Sequence, residues 1–121
     1  MKLSFCTLGC PNWKIDQVIA NAARMGFDGV ELRGTAGEHI GPQEPVESRA
    51  AIKQAFELAS VRPACIMGYS RFTWDDPAKR AEEVKNAIDY LSVARDIGCP
   101  TLRVFGGVWK GIDKTEAVKR V

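Results

Sequence analysis

The chain reads as an α/β domain of four successive βα units, with parallel strands and the helices outside them. Three observations carry that reading. Short runs of strand-forming residues begin near positions 3, 28, 62 and 101. Each is followed by a stretch whose apolar residues recur at helical spacing, and glycines stand where the first and third of those helices should stop. Strands alternating with helices imply a parallel sheet with right-handed crossovers. The residues alone leave two arrangements open, a doubly wound open sheet and a (βα)4 half of a (βα)8 barrel. A full barrel takes about 250 residues, and this chain has 121.

Residues 2–7 form the first predicted strand, with Leu3-Ser4-Phe5-Cys6-Thr7 as its body and Leu8-Gly9-Cys10-Pro11-Asn12 as the turn after it. Ile15, Val18, Ile19, Ala22 and Ala23 mark the apolar face of a first helix that stops at Gly26. The second strand covers residues 29–33. Side chains alternate along a strand, so Val30 and Leu32 share one face while Glu31 and Arg33 share the other. Residues 34–45 are irregular, with three glycines, two prolines and His39. Pro45 then opens a second helix carrying Val46, Ala50, Ile52, Ala55, Phe56 and Ala59.

A third strand is expected over residues 62–67, ended by Gly68 and followed by an aromatic loop, Tyr69-Ser70-Arg71-Phe72-Thr73-Trp74. Asp75-Asp76-Pro77 has the form of a capped helix start. The third helix is expected to bury Ala81, Val84, Ile88, Leu91 and Ala94 and to close at Gly98. In the fourth strand, residues 101–105, Leu102 and Val104 face one way and Arg103 and Phe105 the other. A loop over residues 106–111 leads to Asp113 and a fourth helix that is cut off at Val121. Residues 1–121 are thus expected to be a single domain, truncated in its fourth helix.

Composition narrows the functional classes. Hydrophobic residues make up 45% of the chain, enough for a core. No apolar run approaches the roughly 18 residues that a membrane span needs, and the N-terminus has no signal-peptide pattern, so a cytoplasmic protein with no membrane partner is expected. The net charge of +2 comes from 17 basic and 15 acidic residues spread along the chain, which argues against nucleic-acid binding by electrostatics alone. Cys6, Cys10, Cys65 and Cys99 include no Cys-x-x-Cys pair. Trp13 stands where Cys-x3-Cys-x2-Cys would need a third cysteine, so buried, reduced thiols are expected.

In a parallel βα barrel, chemistry takes place at the mouth formed by the C-terminal strand ends and the loops after them. Glu31, Arg33, Met67 and Arg103 are candidates at strand ends, and His39 and Trp109 in the following loops. Glu31 is the best catalytic candidate; a buried ion pair with Arg33 or Arg103 is the structural alternative, and some pairing is expected in either case. Arg33 and Arg103 could together hold a phosphate or carboxylate through forked donors. His39, the single histidine, is expected to be exposed in its glycine-rich loop. Trp13, Tyr69, Phe72, Trp74 and Trp109 all fall in loops after strands, where aromatic faces could stack on a ligand ring or flank a pocket. Gly106-Gly107 lacks the Gly-x-Gly-x-x-Gly pattern of dinucleotide binding.

The segments Cys6-Thr7-Leu8-Gly9-Cys10-Pro11-Asn12-Trp13, Gly26-Phe27-Asp28-Gly29-Val30-Glu31-Leu32-Arg33-Gly34 and Leu102-Arg103-Val104-Phe105-Gly106-Gly107 resemble the N-terminal half of the sugar phosphate isomerase/epimerase family, the xylose isomerase-like TIM barrels. The resemblance implies the half-barrel arrangement and a small-molecule sugar or sugar phosphate as substrate. It also implies a divalent metal (Mn, Mg, Co or Zn) in a complete barrel, which polarises the substrate while a carboxylate moves a proton. In the family the metal ligands come mainly from later strands, so none is transferred to this chain, no metal is expected to bind this half alone, and activity from it alone is not expected. Two other readings stand beside it. One is a DNA-repair enzyme of the endonuclease IV type, disfavoured by the near-neutral charge. The other is a non-catalytic half-barrel that closes as a homodimer.

Overall fold

The computed structural model describes residues 1–35, 39–107 and 111–121. Among them the elements run β1 (Ser4–Cys6), α1 (Ile15–Met25), β2 (Gly29–Arg33), α2 (Val46–Leu58), β3 (Arg62–Arg71), α3 (Pro77–Ile97), β4 (Leu102–Phe105) and α4 (Lys114–Lys119). The strands pair in parallel in the order β1-β2-β3-β4. A sequential order with crossovers of one hand places every helix on the same side of the sheet. That arrangement belongs to a barrel wall rather than to a doubly wound sheet, and the chain is a (βα)4 half of a (βα)8 barrel.

The core lies between sheet and helices. Val30, Leu32 and Ile66 on the outer face of the strands are fully buried, packed with Val18, Ile19 and Ala22 of α1, Ile52 and Phe56 of α2, and Tyr90, Val93, Ala94 and Ile97 of α3. Gly26 (φ 76°) and Gly98 (φ 74°) end α1 and α3 in the left-handed conformation, as expected at both positions. Asp76 caps α3 by accepting from the Ala78 amide, with Pro77 at the first helical position.

Three expectations change. β1 ends one residue early, because Thr7 enters a short 3-10 turn (Thr7–Gly9) and its Oγ1 accepts the Arg33 amide at 2.9 Å. β3 does not stop at Gly68; it continues to Arg71. A Cβ on Gly68 would lie 3.0 Å from the Arg103 carbonyl oxygen, so the glycine permits a close approach of β3 to β4 rather than ending the strand. Four residue steps along β3, from Met67 to Arg71, are matched by two along β4, from Arg103 to Phe105. The irregularity keeps Tyr69 and Arg71 on the same face as Met67.

The third change concerns α3. Val84, Ile88 and Leu91 are 48%, 56% and 51% exposed, and Ala81 is exposed as well; the buried residues are Tyr90, Val93, Ala94 and Ile97. Both sets recur at helical spacing. Which set meets the sheet is decided by how α3 docks on β3 and α2, which helical spacing does not encode. In α2, similarly, Ile52 and Phe56 are buried while Val46 and Ala50 are exposed.

Candidate functional site

Alternation and register assemble the concave face. Cys6, Glu31 and Cys65 lie side by side on β1, β2 and β3, and Arg33, Met67 and Arg103 form the next level on β2, β3 and β4. Adjacent strands lie about 4.8 Å apart. Nevertheless the Cys6 thiol reaches across β2 to donate to the Met67 thioether at 3.4 Å. The structure therefore brings Glu31, Arg33, Met67 and Arg103 together on one inward face at the C-terminal strand ends.

Glu31 is half-buried. Among the described residues it forms neither a hydrogen bond nor an ion pair, so the expected pairing with Arg33 or Arg103 is not observed. Arg103 stacks instead: its guanidinium Cζ sits 4.3 Å from the Phe105 ring centroid and 5.3 Å from that of Tyr69, and this stacking occupies the faces of the cation. Met67 is only 5% exposed, so it shapes the wall more than it presents a contact surface.

His39 departs from expectation. It is 5% exposed rather than open to solvent, and among the described residues neither Nδ1 nor Nε2 has a hydrogen-bond partner. The cause is long-range. Arg49 of α2 donates to the carbonyls of Glu44 and Pro42 at 2.9 and 2.7 Å and to Asp96 of α3 at 2.9 Å, which draws the loop after β2 against the helices. Ile40, the next residue, is fully buried beside it. An imidazole with two unused ring nitrogens can donate to or accept from a ligand hydroxyl. Trp109 falls outside the described residues, so it has no assigned place here.

Tyr69, Arg71 and Phe105 join this face, though the strand reading stopped short of the first two. Tyr69 and Phe105 pack at 5.6 Å between centroids, and Arg71 lies 5.6 Å from the Phe105 ring. The alternation Cys65, Met67, Tyr69, Arg71 was the available signal, hidden by reading Gly68 as a terminator.

All four cysteines are free. Cys10 and Cys99 are buried, and burial is the main cause that pushes both thiols above the ordinary 9.0. Cys6 and Cys65 are half-buried on the concave face, so the expectation of buried thiols holds fully for only two of them. Among the described residues no three His, Cys, Asp or Glu side chains converge to hold a metal ion. A groove of about 740 Å³ is lined by Lys2, Asp28, Lys53, Phe56, Arg62 and Pro100 among others, at the N-terminal strand ends. In a βα barrel that end serves stability rather than chemistry. No helix among the described residues is long and apolar enough to cross a membrane.

Comparison with known proteins supplies the lineage. The chain superposes on D-psicose 3-epimerase, solved in the presence of D-fructose, with TM-score 0.78 and 16% identity over 99% of this chain and 44% of that one. It matches the probable 3-DHS dehydratase AsbF involved in petrobactin synthesis from Bacillus anthracis with TM-score 0.69 and 18% identity, over 87% of this chain and 38% of that one. For 3-keto-D-glucoside 4-epimerase YcjR from E. coli the TM-score is 0.65 and the identity 17%, over 84% and 36%. At such identities the likeness is one of fold, and the chain spans less than half of each of these proteins. No curated protein sequence matches it. The model of the xylose isomerase-like TIM barrel family matches residues 19–121. The chain belongs to the xylose isomerase-like TIM barrel family.

Proposed function

We propose that this chain is the N-terminal half of a divalent-metal-dependent isomerase or epimerase acting on a sugar or sugar phosphate, and that it supplies part of the substrate-binding wall. Glu31, Arg33, His39, Met67, Arg103 and Trp109 are the proposed contacts. The metal ligands come from strands outside this chain, so the 121 residues alone give no turnover. The reduced thiols suit a cytoplasmic setting.

One observation carries the reading: Glu31 is a half-buried carboxylate on the concave face, with no ion pair or hydrogen bond among the described residues. Leaving a partly desolvated charge unpaired is costly. A sugar hydroxyl donating to it removes that cost, and places the carboxylate where it can orient the substrate or tune a neighbouring acid or base. The epimerases among the structural neighbours support a sugar as the small molecule.

The test is to join this half to a compatible C-terminal half-barrel and compare turnover of a ketose by the parent and by Glu31→Gln. A loss of roughly tenfold or more, the worth of a charge-assisted hydrogen bond, is expected. Unchanged turnover removes Glu31 from the site.

A second reading has its own support. β1 and β4 each have an unpaired edge among the described residues, and unpaired edges recruit strands. Two copies about a two-fold axis would close an eight-stranded ring. Sedimentation of the 121-residue chain decides it: a dimer is expected, and a well-folded monomer at high concentration refutes it.

A further inference from the structure

We infer that the upper end of β3 and β4 is an oxyanion subsite, so that the substrate carries a phosphate ester or a carboxylate held by Arg103 and Arg71. The inference rests on reading the concave face as a substrate wall. It names the chemical class that this part of the wall selects.

The geometry builds it in three steps. The irregularity between Met67 and Arg71 keeps Tyr69 and Arg71 inward and sets Arg71 opposite Phe105. Ser70, between them, is 1% exposed on the outer face, where its Oγ accepts from Asn86 Nδ2 of α3 at 3.2 Å, which anchors this turn of the strand. The guanidinium groups of Arg103 and Arg71 then lie around one ring, 4.3 and 5.6 Å from the centroid of Phe105, with Tyr69 5.3 Å from Arg103.

Two cations around one ring repel each other unless something negative is near. Among the described residues neither arginine forms an ion pair or a hydrogen bond. Stacking covers the guanidinium face and leaves its edge, with the N–H fork that matches two oxygens of a phosphate or carboxylate, open to a ligand. Arg103 is half-buried, so a contact there is less screened than one on an open surface. A neutral sugar would leave both charges unmatched.

Isothermal titration calorimetry of the chain with D-fructose, D-fructose 6-phosphate, D-gluconate and inorganic phosphate tests this. The phosphorylated or acidic sugar should bind more tightly than D-fructose, and inorganic phosphate should compete with it. Tighter binding of D-fructose 6-phosphate identifies a phosphate as the anion; tighter binding of D-gluconate identifies a carboxylate. Arg103→Gln should weaken binding of the anionic sugar by roughly tenfold or more and binding of D-fructose by less than that. Arg71→Gln should weaken it less, and Arg62→Gln, at the opposite end of β3, not at all. If Arg103→Gln unfolds, Arg71→Gln and Arg103→Lys, which keeps a charge but loses the fork, carry the comparison. Equal binding of D-fructose, its 6-phosphate and D-gluconate, or indifference to changes at both arginines, overturns the subsite and leaves the sugar wall standing. Arginine-dependent phosphate binding with no sugar binding at all does the reverse.

Discussion

Replacing Gly34 with alanine tests the packing between the sheet and α3 beneath the candidate site. Gly34 follows β2 and its amide donates to the Met67 carbonyl at 3.1 Å, which carries the β2–β3 ladder to the mouth. A Cβ added there would lie 2.8 Å from Ile66 Cγ2, 3.0 Å from Tyr90 Cε1 and 3.2 Å from the Met67 oxygen. Ile66 is fully buried and Tyr90 is 5% exposed, so neither side chain has room to move aside. Overpacking of this kind costs about 1–3 kcal/mol. The smaller entropy of the unfolded alanine chain returns about 0.4–1 kcal/mol, leaving a net loss centred on about 1.3 kcal/mol. At this chain length that is a fall in Tm of roughly 4–8 °C. Gly9→Ala is the control, because nothing lies within 4 Å of its added Cβ and its φ is not positive. It should leave stability level or raise it slightly. Thermal unfolding by circular dichroism reads both. A Gly34→Ala variant that melts with the parent or above it refutes the close approach.

Other expected outcomes concern ionisable groups. The Arg49 hydrogen bond, and then that of Arg95, hold the Asp96 carboxyl below its ordinary 3.8. A carboxylate whose folded-state value is depressed stabilises the fold above its unfolded value, and that contribution is lost as pH falls through the folded one. Asp96→Asn should therefore melt lower than the parent at neutral pH, and the gap should narrow in melts taken below pH 3.8; a gap that stays constant into strong acid contradicts the role of charge. Burial that raises the Cys10 and Cys99 thiols, at 9% and 6% exposure, should delay their alkylation by iodoacetamide until the chain unfolds. Cys6 and Cys65 should be modified first, and equal labelling of all four in the folded chain, read by peptide mass spectrometry, contradicts the burial.

The candidate site was legible wherever alternation along a strand sufficed. Glu31, Arg33 and Arg103 were placed inward from their positions relative to Val30, Leu32, Leu102 and Val104, and the register puts them there. Tyr69 and Arg71 were missed because a glycine within a strand and a glycine ending one look alike locally; the difference is the β4 backbone 3.0 Å from where a Cβ would be.

What the amino-acid sequence determined by itself is the order of elements and most of their boundaries, because these depend on short-range effects. A left-handed glycine at positions 26 and 98, an aspartate cap with proline at 76–77, and β-branched or aromatic runs each act within a turn of chain. Only the tertiary structure decided which apolar face of α3 was buried, since Val84-Ile88-Leu91 and Tyr90-Val93-Ile97 satisfy the same helical period. It likewise decided that His39 lies inside, through an arginine ten residues later that joins the loop to α2 and α3. Arg103 stacks on two rings, Tyr69 and Phe105, for the same kind of reason: Tyr69 lies far from it in the chain, and only folding brings the two together.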